Sequence, residues 1–211
     1  MIQITSKDYN TIPETLTRIG TYRQINRAIT ATDGELYNTT YYKDLAVVNK
    51  LKAFSVHKNS LEPGDKPKCY YCESYVEHVA VLQVEHFRPK AKVDSIDNNN
   101  ASHSGYYWLG LEWSNLLLSC PNCNGKNAKG NRFPLEDFNN RVPAINPIIS
   151  APPLQLVYDR TSCFANQPPL INERPLLINP EYEDPTPYLT FDGFGQIYGI
   201  GEKGLKSVEI Y

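Results

Sequence analysis

Two Cys-x-x-Cys pairs, Cys69/Cys72 and Cys120/Cys123, bracket an acid–imidazole dipeptide, Glu85-His86, that continues as Phe87-Arg88-Pro89-Lys90. Four thiolates in two knuckles are the donor set of a closed, tetrahedral Zn²⁺ site. Ordinary zinc fingers separate their pairs by about 12–20 residues, whereas 47 residues lie between Cys72 and Cys120. The spacing predicts a metal that pins both ends of a folded unit rather than closing one loop. Inside that unit, an imidazole with an ordinary pKa of about 6.5 can take a proton at neutral pH. A carboxylate beside it can hold a hard cation. The competing chemistry for the cysteines is redox, but nothing around them reads as the βαβ unit of a thioredoxin.

The bland readings are set beside this one. His57 and His103 are read as structural, and His78, which follows Glu77, mimics the motif without its downstream Phe-Arg-Pro-Lys. Trp108 and Trp113 are most simply core, and Cys163 is assigned no role. A net charge of −2 disfavours nucleic acid as a partner on average, but the charges segregate. No acid falls between Trp113 and Leu135, where Lys126, Lys129 and Arg132 sit, nor between His86 and Val93, which holds Arg88, Lys90 and Lys92. Both basic stretches flank the cysteine-bounded unit, where they are either phosphate contacts or a solvated face.

Positioning these residues takes three regions. Residues 1–65 read as helical, with one helix opening near Pro13 and carrying Leu16, Ile19 and Tyr22. A second helix is expected over Tyr41–Lys52 with Leu45, Val48 and Leu51 on one face, followed by a turn-rich linker at Asn59–Asp65. Within residues 66–140, Val79–Phe87 reads as a strand ending at Arg88-Pro89. A mobile polar loop at Asp94–Ser104, buried structure at Tyr106–Leu111 and a short helix starting around Asn124 complete that unit. Residues 141–211 are proline-rich, so short strands and loops are expected, with a hairpin around Asp192-Gly193. No run approaches the roughly 20 apolar residues that span a bilayer. The first residues lack the zones of a signal peptide, so a cytosolic protein is expected.

The order Cys-x-x-Cys, Glu85-His86, Trp113-Ser114-Asn115-Leu116-Leu117, then Cys120-Pro121-Asn122-Cys123-Asn124 resembles the HNH endonuclease family, in its subtype with two zinc knuckles. The longer string adds Cys72-Glu73, Phe87-Arg88-Pro89-Lys90, Trp108-Leu109 and Phe133-Pro134-Leu135. It is similar to the HNH partner of Septu and related retron-associated anti-phage systems. The resemblance covers about residues 69–135, with further echoes at Leu177-Ile178-Asn179-Pro180, Asp184-Pro185 and Leu189-Thr190-Phe191.

That resemblance implies an α+β fold with a ββα-metal core stapled by a Cys₄ zinc site. It further implies His86 as general base and Asn115 as the residue that ties the loop between the strands. Glu85 and Asn124 would be ligands of a catalytic Mg²⁺ or Mn²⁺, with Arg88, Lys90, Lys126 and Lys129 on phosphates. Asn124 stands where many relatives carry His, so the chain is an H-N-N variant whose oxygen donors suit a hard ion. By the same resemblance the protein is the effector nuclease of a defence complex with an ABC-type ATPase. DNA is the favoured substrate and RNA such as tRNA the alternative. Family members commonly run on past the point matching Tyr211 into a further helix. Residues 1–65 and 141–211 are either docking surfaces for the ATPase or packing around a small core. Two other classes compete: a non-catalytic zinc-ribbon module that binds nucleic acid or a partner, and an inactive adaptor. Neither gives a reason for Glu85-His86 to coexist with Asn115 and Asn124.

Overall fold

A computed structural model describes residues 7–55, 66–94, 103–143, 148–151, 155–158 and 163–211. His57, the linker at 59–65 and most of the 94–104 loop lie outside them. The fold is α+β, with four α-helices and three two-stranded antiparallel sheets among the described residues.

Helix α1 (Ile19–Ala31) starts later than the Pro13 signal implied, because Pro13 leads only into a single 3₁₀ turn at Glu14–Leu16. Its buried face is Thr21, Ile25 and Ala28, while Ile19 is exposed. Helix α2 (Leu45–Phe54) begins where the Asp44 carboxylate accepts from Ala46 N at 2.9 Å, satisfying a free first-turn donor. It buries Val47 and Leu51, not the expected Leu45 and Val48.

Strand β1 is Gln83–His86 and pairs antiparallel with β2, Leu116–Ser119, placing Glu85 opposite Leu117 and His86 opposite Leu116. The strand is shorter than the β-branched tract predicted: Val79 and Val81 are about three-quarters exposed, and Ala80 N closes a turn onto Val76 O. Helix α3 (Pro121–Asn124) follows β2 directly. Cys120 caps its start and it ends at Asn124, where a helix had been expected to begin. Sheets β3–β4 (Ile148–Ala151 with Gln155–Tyr158) and β5–β6 (Leu189–Phe191 with Ile197–Gly199) lie in the last third. The β5–β6 turn is organised by the Asp192 carboxylate, which accepts from Phe194 N and Gln196 N. Helix α4 (Gly201–Ile210) was not foreseen.

One hydrophobic cluster takes in Leu16, Ile25 and Val47, then Trp108, Trp113 and Leu117, then Leu170, Leu177 and Ile210. Both flanking regions thus pack on the cysteine-bounded unit. Two buried cations reinforce this: Lys7 Nζ donates to Trp113 O (2.7 Å) and Leu116 O (2.6 Å) and pairs with Glu181, while Arg88 pairs with Glu173. Among the described residues no helix is long and apolar enough to cross a membrane.

Candidate metal centre and adjoining cleft

The ligand sulfurs of Cys69, Cys72, Cys120 and Cys123 all lie within 4.8 Å of one another, with Cys72 Sγ 3.8 Å from Cys120 Sγ. Zn–S bonds of about 2.3 Å in a tetrahedron put sulfurs roughly 3.8 Å apart, so the set fits a metal such as zinc. Each knuckle is locked from its backbone: Glu73 N donates to Cys69 O, Asn124 N to Cys120 O, and Cys123 N to Cys120 Sγ. Crowding splits the thiols. Hydrogen bonds from Cys123 and Cys69 pull the Cys72 pKa far down, and the same contacts push Cys123 far up. Four such sulfurs ionise together only around a cation.

Two adjoining clefts open at the end of β1. The smaller, about 160 Å³, is lined by residues that include Glu35, Glu85, His86, Lys90, Asn124 and Asn131. The larger, about 710 Å³, shares Glu85, His86 and Asn124 and runs past Tyr42, Lys43, Leu45, Val48 and Gln83. Adjacent strand residues normally face opposite sides. Here the strand ends at His86, and both residues line the same clefts.

His86 Nε2 lies 2.9 Å from Gly110 O. A carbonyl only accepts, so Nε2 carries the proton and Nδ1 keeps the ring's lone pair. The edge of the ring packs on Tyr42 with centroids 5.0 Å apart. Burial lowers the His86 pKa to about 3, aided by the charges of Lys90 and Lys129 and opposed by the Gly110 hydrogen bond.

This depression has a testable consequence for stability. An unfolded histidine titrates near 6.5, so His86 contributes fully above that pH. Its contribution falls as pH drops toward 3, by about 1.4 kcal/mol per unit. Between pH 7 and pH 5 the protein should therefore lose about 2 kcal/mol more in urea unfolding than a His86→Gln variant. The raised pKa of buried Glu85 acts oppositely but is common to both proteins. Equal losses would mean that His86 is not held neutral.

Asn115 is fully buried and ties down the connection between β1 and β2. Its Oδ1 accepts from Arg88 N (2.8 Å), its Nδ2 donates to Arg88 O (3.0 Å) and Leu109 O (3.3 Å), and its backbone O accepts from Phe87 N. Asn124 donates from Nδ2 to Gln83 Oε1 at 2.8 Å, so its amide oxygen is the atom it can offer a cation. Among the described residues the cysteines form the one group of three or more His, Cys, Asp or Glu ligands, and the cleft has a single buried carboxylate, Glu85.

The basic residues divide. Lys126 is exposed. Lys90 lies at the cleft rim, where Nζ donates to Gly34 O at 2.8 Å and lies 3.4 Å from Glu35. That approach needs a glycine, because a Cβ at Gly34 would sit 1.9 Å from Lys90 O. The phosphate roles expected for Arg88 and Lys129 are corrected. Arg88 is 1 % exposed, its Nε donates to Glu173 Oε2 at 2.8 Å and its Nη2 to Leu170 O at 2.8 Å. Lys129 is fully buried, with Nζ 2.5 Å from Glu85 Oε1 and 3.0 Å from His86 O. Both cations are buried and paired within the fold.

Arg88→Met should accordingly cost about 3–5 kcal/mol of stability, since it leaves Glu173 charged and buried. It should leave the salt dependence of nucleic-acid binding unchanged. A slope lower by about one would restore Arg88 as a phosphate ligand.

The two other described histidines and the lone cysteine sort as follows. His78 is exposed and lines neither cleft. His103 Nδ1 accepts from Gly105 N at 3.1 Å in a local turn, and Cys163 is buried. Gln83, Tyr42 and Glu35 are cleft residues that sequence reading missed, and no residue type or spacing marked them.

No protein-family model matches the chain, and no solved structure does. Septu protein PtuA of Bacillus mycoides (strain KBAB4) is 29% identical over 145 residues, 68% of this chain and 17% of that protein. Septu protein PtuB of Bacillus thuringiensis is 37% identical over 86 residues, 40% of this chain and 26% of that protein. Septu protein PtuB of B. mycoides is 33% identical over 175 residues, 82% of this chain. The chain spans about half the length of that relative (52%) and less of the other two. This similarity makes the chain a PtuB-like homologue of the Septu proteins.

Proposed function

We propose that the chain is a metal-dependent HNH-type endonuclease acting in the cytoplasm as the effector of a Septu anti-phage defence system. The observation that carries this reading is the convergence of Glu85, His86 and Asn124 on the same cleft walls, at the end of a β1–β2–α3 unit pinned by four cysteines. Nδ1 of His86 takes a proton from water as the water oxygen attacks phosphorus and the opposite P–O bond breaks. Glu85 and the Asn124 amide oxygen suit Mg²⁺ or Mn²⁺, which when bound supplies positive charge at the leaving oxygen. Asn115 fixes the connection that carries Arg88 and Gly110, and so the carbonyl that sets the His86 tautomer. Lys90, which lines the smaller cleft, and Lys126, exposed two residues past Asn124, are the cations assigned to phosphate. The cysteine cluster holds structural zinc. The PtuA and PtuB similarities support a multi-subunit setting, with an ABC-type ATPase as the partner.

The test is nicking of plasmid DNA, and cleavage of tRNA, by metal-stripped protein that retains zinc. Cleavage should appear on adding Mg²⁺ or Mn²⁺, in the presence of the partner ATPase. Activity that survives complete removal of the divalent ion, with zinc still bound, rules the mechanism out.

A further inference from the structure

A fully buried lysine is rare unless it is paired, and Lys129 is paired on both sides of the dipeptide that the cleft depends on. Its ammonium stands 2.5 Å from Glu85 Oε1 and donates to His86 O at 3.0 Å. Its backbone N donates to Cys123 O at 3.1 Å, so the residue is anchored to the second cysteine knuckle. The backbone O of Lys129 accepts from Arg132 N at 2.7 Å. Lys129 is therefore a strut between the sulfur cluster and the cleft wall.

The strut carries a charge with consequences for metal binding. Glu85 is the cleft's buried carboxylate, and Lys129 already neutralises it. A divalent ion approaching Glu85 and the neutral Asn124 amide meets the ammonium's positive charge in a poorly screened site. A phosphate group in the cleft adds the missing negative charge and further oxygen donors.

We propose that Lys129 is a positioning residue that presents Glu85 and His86 to the cleft and makes divalent-metal binding conditional on nucleic-acid phosphate. The inference rests on the nuclease reading of the cleft. It assigns Lys129 a role opposite to a phosphate contact: the residue keeps the metal out until substrate brings its own charge.

The test measures Mn²⁺ binding by electron paramagnetic resonance, on His86→Ala protein so that substrate is not consumed. Lys129 meets His86 only through its backbone oxygen, so that background keeps the strut. Mn²⁺ should bind weakly alone and at least ten-fold more tightly with a short DNA oligonucleotide. Adding Lys129→Met should tighten Mn²⁺ binding about ten-fold without DNA and remove most of the DNA dependence. A lysine that merely supported the fold would, when replaced, weaken binding instead. Mn²⁺ binding as tight without DNA as with it, in protein that keeps Lys129, overturns the proposal even if the Met variant does not fold. No tightening in a folded Lys129→Met protein does the same. In cleavage assays on the His86-containing protein, Lys129→Met should lower kcat about ten-fold with KM within two-fold. A raised KM with unchanged kcat overturns the positioning role in favour of phosphate contact. If no nucleic acid is ever cut while the Mn²⁺ pattern holds, the nuclease reading fails and the role of Lys129 stands.

Discussion

His86→Ala is expected to lower cleavage by about 10³-fold, within the range a positioned general base contributes. The loss follows from the hydrogen bond to Gly110 O, which leaves Nδ1 as the ring's only proton acceptor. Burial holds the imidazole neutral at physiological pH, so its lone pair is free, and the same low pKa makes it a weaker base than an exposed histidine. The variant should not be silent in stability. The ring is 9 % exposed and packs its edge on Tyr42, so removing it should cost about 1–2 kcal/mol through a small cavity and a carbonyl left without its donor. Zinc content should be unchanged, because the cysteines are held by their own knuckle hydrogen bonds. His78→Ala is the matched control and should cut at the parental rate, since that ring is exposed and lines neither cleft. Parental activity in His86→Ala would remove the assignment. It would also leave no other described histidine on the cleft walls to replace it.

What the sequence made legible was local. A Cys-x-x-Cys knuckle folds around its own backbone, so two pairs announce a four-sulfur cluster however far apart they lie, and the four thiols do converge. The end of β1 was equally local, because Pro89 supplies no ladder N–H. What stayed hidden depended on partners remote in the chain. Arg88 belongs to Glu173, 85 positions away, and Lys129 to His86, 43 positions away. Both sit in basic stretches that read as a phosphate surface, and nothing in a charge pattern distinguishes a cation bound for the core. Helix α4 was hidden for another reason. Gly201 and Gly204 argue against a helix by propensity, yet a Cβ at Gly204 would stand 2.1 Å from Tyr188 O. Close packing of α4 against the β5–β6 region requires that glycine and overrides its poor propensity.

The same distinction changes how the basic surface is understood. With Arg88 and Lys129 turned inward, the cleft's walls are less cationic than the sequence implied, and the larger cleft presents Leu45, Val48 and Val84 instead. Arg88 and Glu173 form one node with Tyr106, which donates to Glu173 Oε1 at 2.8 Å, and with Val142 N, which donates to the same oxygen. That node fastens the last third of the chain to the strand connection Asn115 holds. The proline-rich region thereby supports the cleft from behind, whatever further surface it offers a partner.

Removing the metal from the four cysteines should have the largest effect on the fold. About one zinc per chain is expected, and any single substitution, Cys123→Ser for example, should lose both the metal and the cooperative melting transition. Structural zinc contributes about 10–16 kcal/mol of apparent binding energy in small zinc-dependent folds, which matches or exceeds the roughly 5–15 kcal/mol that holds a typical domain. The damage should spread along a definite route. Tyr70 N donates to Leu118 O, joining the first knuckle to β2, and the Tyr71 ring stacks on Tyr211 with centroids 4.0 Å apart. Cys123 Sγ lies 3.5 Å from Tyr211 O, so the second knuckle also meets the residue that caps α4. Loss of the ion should therefore free α4 and β2 to exchange amide hydrogens before α1, whose buried face packs elsewhere in the core. Of the four cysteines only Cys72 is exposed, and it gives a chelator its point of entry. Hydrogen exchange on chelator-treated protein checks the sequence of events. Folded protein without zinc, a Cys69–Cys72 disulfide, or α1 exchanging before α4 would each contradict a structural metal at this place.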